Sequence, residues 1–163
     1  MDERSIREQL VKSLEGAHAH VTLEQTIEAF PVDQINVHVD DIPYSAWSIL
    51  EHLRLTQQDI LDYITAENYR EPEFPSGYWP APGAEGSEAN WTTSTAAFIK
   101  DRQALQTLAQ DPDTDLTAPL PHNSQHTIFR ELLIIGNHNS YHLGQLLVLK
   151  RLLTGKRIGT AAR

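Results

Sequence analysis

The sequence predicts an all-α fold, a four-helix bundle with two long connections and a short accessory helix, in one domain over residues 1–163. Three observations predict it. Apolar residues recur at helical spacing through four long segments. No stretch alternates apolar and polar residues convincingly enough to read as a strand. Runs rich in proline and glycine separate the helical segments at two places.

The first helix follows from Ile6, Leu10, Val11 and Leu14, which share one stripe that Gly16 interrupts. The accessory helix spans residues 22–30. Thr22 and Gln25 have capping-box spacing, and Pro31 is a stop signal. Residues 33–43 read as a connection. The second long helix, residues 45–66, carries Ile49, Leu50, Leu53, Ile60, Leu61 and Ile64 on its core stripe, with Pro43 just outside its start. A loop rich in Pro, Gly and aromatics follows over residues 70–86 and contains Tyr78-Trp79-Pro80. Its length points to a covering role. The third long helix, residues 88–110, turns Trp91, Phe98, Leu105 and Leu108 inward and ends at Asp111-Pro112-Asp113. Residues 114–125, with Pro119 and Pro121, form the second connection. The last helix, residues 127–153, is apolar on nearly every side, and Gly155 suits its C-terminus. A helix of that kind is the buried centre of an assembly, its extra faces covered by other helices or by a second copy.

Composition narrows the function classes. Hydrophobic residues make up 40% and charged residues 21%, as in a globular chain. A formal net charge of -9 repels phosphate backbones and argues against nucleic-acid binding. The cations Lys150, Arg151, Lys156 and Arg157 suit the last turn of a helix, where they complement its dipole. With no cysteine, the chain has no disulfide, thiolate-ligated metal or cysteine nucleophile. Any thiol chemistry needs an external thiol. A charged start without an apolar run, and no stretch long enough to span a bilayer, predict a cytoplasmic protein with no membrane partner.

The chemistry concentrates in His138-Asn139-Ser140-Tyr141-His142-Leu143-Gly144-Gln145. His138 and His142 stand one helical turn apart, so both imidazoles lie on one face. Glu131, His138, His142 and Gln145 fall within a sector of roughly 80° at helical pitch. Two imidazoles on one helix leave an ion mostly in water, so a third ligand is needed. His52, at the edge of the second helix's apolar stripe, is the best donor. Three imidazoles suit zinc, nickel, iron(II) or copper, and leave a position open for water or substrate. The ordinary alternative is a set of buried histidines held by hydrogen bonds alone. His18, His20, His38, His122 and His126 read as solvated surface, although His122 or His126 could reach the mouth of the site. Gly144 reads as a point of close helix approach. Tyr141 reads as core, Glu51 as solvated surface, and Glu131 as the ion-pair partner of Arg130 or a helix-dipole carboxylate.

The pattern Trp47-x-x-x-Glu51-His52-Leu53, followed by His138-x-x-x-His142-x-Gly144-Gln145, resembles the DinB-like superfamily, with its YfiT-like metal-dependent hydrolases. The resemblance runs from Ile6 to Leu153. It implies His52, His138 and His142 as ligands of a divalent metal, commonly zinc or nickel, and frequent homodimerisation. Better understood relatives transfer low-molecular-weight thiols such as bacillithiol or mycothiol to electrophiles, or use them in isomerisation. Three functions follow as expectations. One is an enzyme whose metal activates water or a small thiol against a small-molecule electrophile, with Gln145 positioning the nucleophile. The second is a non-catalytic metal-binding stress-response protein with a structural or sensing ion. The third is a metal-free helical interaction module.

Overall fold

Polar caps set the helix ends in the computed structural model, which describes residues 2–16, 19–28 and 30–155. Helix α1 (Glu3–Glu15) starts where Asp2 accepts from Ser5 N and stops at Gly16, whose φ of 74° is left-handed. Helix α2 (Leu23–Glu28) carries the predicted capping box: Gln25 N donates to Thr22 Oγ1 and Thr22 N to Gln25 Oε1. A 3₁₀ turn at Val32–Gln34 lies in the first connection. Ser45 caps α3 (Ala46–Thr65), Ser87 and Asn90 cap α4 (Glu88–Gln110) reciprocally, and Thr127 caps α5 (Ile128–Thr154), which ends at Gly155.

The second connection is not strandless. Strands β1 (Pro119–Leu120) and β2 (Asn123–Thr127) form a small antiparallel hairpin. Strand β2 is polar on both faces, so it carries no alternating signal to read. Leu108 is half-buried rather than inward, and Ala109 and Arg102 take the buried positions beside it. His18, Lys156 and Arg157 lie outside the described residues.

Helices α1 and α3 each pack against both α4 and α5, which closes a four-helix ring, and α2 lies on α5. Two apolar clusters fill it. One joins the first half of α3 to Trp91 and Phe98 of α4 and Leu143, Leu146 and Leu149 of α5. The other joins α1, the end of α3, Leu105 and Ala109 of α4, and Leu132 and Ile135 of α5. Helix α3 therefore runs antiparallel to α5 but parallel to α4. Parallel neighbours need a connection that returns the length of the bundle, about 30 Å for a helix the length of α3. The long loop between α3 and α4 is that return. A polar tier separates the two clusters. There the fully buried Gln57 donates to Phe98 O and accepts from Asn139, and Arg102 pairs with Glu24.

Within one chain the other elements do not cover the last helix on every side. Leu133, Ile134, Tyr141, Val148 and Leu152 are exposed, and Tyr141, expected in the core, is 65% exposed. The apolar stripe is broader than the four neighbouring elements, α1, α2, α3 and β2, can cover, so one face is left to solvent. Gly144 stands on that face. A Cβ there would meet nothing within 4 Å, so this glycine does not mark a close approach within the chain.

Candidate metal centre

His52 is on the inner face of α3, and His138 and His142 are one turn apart on α5. Antiparallel packing brings all three to one point. Nε2 of His52 lies 3.0 Å from Nε2 of His138 and 3.1 Å from Nε2 of His142. One ring nitrogen from each falls within 4.8 Å of the others. His52 and His142 are buried and His138 is half-buried.

Two of these rings have their tautomer set by a neighbour. His52 Nδ1 is 2.7 Å from the Tyr78 carbonyl oxygen, which only accepts, so Nδ1 carries the proton. His142 Nδ1 is 2.7 Å from Gln145 Oε1 and donates to it. Both Nε2 atoms then present lone pairs to each other at 3.1 Å with no proton between them. In a buried place two facing lone pairs disfavour each other, and a cation held between them relieves this. Nitrogens about 2.0–2.1 Å from one ion lie about 2.8–3.4 Å apart at angles from octahedral to tetrahedral, so the observed spacings fit. His138 Nδ1 is buried without a hydrogen-bond partner, and its Nε2 is the nitrogen turned toward His52.

Burial lowers the pKa of all three imidazoles. For His52, the Tyr78 carbonyl opposes this and His142 adds to it; for His142, Gln145 opposes it. His138 is pushed down to about 4, first by burial and then by the neighbouring charges of His142 and His52. The rings are therefore neutral near pH 7, the form that ligates.

The crossover loop supplies what motif reading did not find. Besides the Tyr78 carbonyl, it lays the Trp79 indole flat on His52, with centroids 3.8 Å apart and planes 4° apart, and edge-on to His142. The Pro-, Gly- and aromatic-rich composition marked this loop as a cover, but a backbone carbonyl leaves no side-chain signature. The loop is anchored at both ends. Tyr69 and Tyr78 donate to Asp59, whose pKa burial raises, and Asn36 bonds both N and O of Gly86.

Other expected residues fall elsewhere. Glu51 is not solvated: it pairs with Arg54 at 2.5 Å and accepts from Ser94 Oγ, because its place on α3 faces the seam with α4. Glu131 is buried and pairs with Arg130 at 2.5 Å, as expected. His122 and His126 do not reach the mouth. They pack on Tyr63 in a separate cluster, about 16 Å along the α3 axis from His52. His126 sits between the Tyr63 hydroxyl and Glu131, because the hairpin folds back on the end of the bundle. His20 contacts Ser140 Oγ at 3.1 Å, and His38 is exposed.

Among the described residues, no helix is long and apolar enough to cross a membrane. The sequence model of the DinB superfamily matches residues 17–146, which take in all three histidines. No curated protein and no solved structure matches the chain.

Proposed function

Because the chain belongs to the DinB superfamily, we propose that His52, His138 and His142 hold one divalent ion, zinc or nickel, and that the protein is a metal-dependent enzyme. The reaction is hydrolysis or thiol transfer on a small electrophile. The observation that carries this reading is the pair of Nε2 lone pairs turned on each other at 3.1 Å, each fixed by a partner on its Nδ1. When bound, such an ion lowers the pKa of water or of an external low-molecular-weight thiol and so supplies the nucleophile. The chain's own residues orient and exclude. Tyr78 and Gln145 lock the ring orientations, Trp79 covers the face of His52, and Gln145 is the residue we assign to positioning the nucleophile.

The experiment is turnover of small epoxides, activated esters and haloarenes by metal-replete protein, with and without added thiol. Turnover above that of the His138→Ala variant is expected in one of the two conditions, and equality with the variant in both defeats the enzymatic reading. A second reading is a non-catalytic stress-response protein with a structural or sensing ion. The Trp79 cover over His52 favours it. Its mark is a melting temperature that collapses on chelation in a protein with no turnover. We also propose a homodimer, with the exposed apolar face of α5 as its contact.

A further inference from the structure

A cavity of ≈ 610 Å³ opens beside the metal centre, between the start of α3 and the end of the crossover loop. Its volume is that of a small-molecule site. Tyr44 and Trp79 form its aromatic wall, their rings 6.4 Å apart and 20° from parallel, and three prolines line it as well. Ser48 and His38 are polar groups on its surface. Trp79 belongs to both places: it lines the cavity and stacks on His52, whereas none of the three histidines lines the cavity.

The cavity's charge is one-sided. Glu85 is its carboxylate, and among the described residues no Lys or Arg lines it. The start of α3 would ordinarily favour an anion. Here two of its amides are already engaged, Trp47 N on Ile35 O and Ser48 N on Ser45 Oγ. A net charge of -9 adds to the bias.

We propose that this cavity binds an aromatic small molecule that is neutral or cationic, with its ring against Tyr44 and Trp79. The inference rests on the enzymatic reading, for which it names the substrate class. An anionic molecule meets Glu85 and, among the described residues, neither Lys nor Arg, so a carboxylate-bearing thiol is disfavoured here. Trp79 stands between a docked ring and His52, on which it stacks, so the indole must turn aside for the substrate to reach that imidazole.

The test titrates the protein with benzylamine, benzyl alcohol and benzoate by calorimetry and ligand-observed NMR, at mildly alkaline pH where imidazoles are neutral. Saturable one-to-one binding of the first two is expected, with benzoate about tenfold weaker or more, the scale of one nearby like charge. Glu85→Gln, an exposed position, should bring benzoate close to benzyl alcohol. Tyr44→Ala should weaken all binding about tenfold through loss of the ring contact, and Tyr44→Phe should keep it. The proposal is overturned if no probe saturates, if benzoate binds as tightly as benzylamine, or if neither Glu85→Gln nor Tyr44→Ala changes binding. Repeating the titration on His138→Ala separates the two ideas. Ring binding there, with no metal bound by the wild type, sinks the enzymatic reading and leaves the cavity. Metal bound by the wild type with no ring binding does the reverse.

Discussion

Gln145 and the Tyr78 carbonyl do the same job by different means, each accepting a hydrogen bond from the Nδ1 of a clustered imidazole. Of the two, only Gln145 can be tested by side-chain substitution. Gln145→Ala leaves the three rings in place but frees His142 to rotate and to change tautomer. Metal affinity should fall about 10–100-fold, as measured by competition with a chromophoric chelator. His142→Ala should abolish stoichiometric binding. The depressed imidazole pKa values also give the metal-free protein a pH dependence. Below the unfolded value of about 6.5 the unfolded chain binds protons that the folded rings refuse, so stability falls as pH drops. The loss begins near that value and continues toward the folded value of His138, about 4. Denaturant midpoints of metal-free protein should decline across this window. His138→Asn should flatten the upper part, where carboxylates do not yet titrate.

Among the elements, the crossover loop decides the site, and Gly86 seats the loop. A Cβ at Gly86 would lie 2.3–2.8 Å from the indole carbons of Trp47, a buried ring with little room to yield. Gly86→Ala should therefore destabilise the fold by about 1–3 kcal/mol, the range for overpacking, as read from chemical denaturation. It should also loosen Trp79 from His52, because Asn36 holds the same residue through both its backbone groups. The hairpin behaves differently. It packs His122 and His126 on Tyr63 at the far end of the bundle and supplies none of the three clustered histidines.

For the whole molecule, the parallel pairing of α3 and α4 forces a return loop along the bundle, and that return passes over the histidines. A cover over the site follows from the topology. The apolar face left on α5 has a consequence at the same scale. Val148 lies in its middle and is exposed, so Val148→Glu should leave the monomer fold intact. The homodimer reading predicts that the wild type sediments as a dimer and that Val148→Glu shifts it to monomer at micromolar concentration. A monomeric wild type under the same conditions ends that reading.

Most of the helical architecture was legible in the chain, because stripes such as Ile49, Leu50 and Leu53, and caps such as Thr22 with Gln25, are local in sequence. The pairing of His138 with His142 was legible for the same reason, since one turn of helix places both rings together. What lay beyond reach was set by long-range packing. Nothing local distinguishes Glu51 at a seam from Glu51 in water, Tyr141 outside from Tyr141 in the core, or Gly144 in open space from Gly144 against a helix. The tautomer of His52 likewise depends on a carbonyl from a distant loop. Periodicity determines which side of a helix is apolar; only the assembled bundle decides which part of that side is covered, and by what.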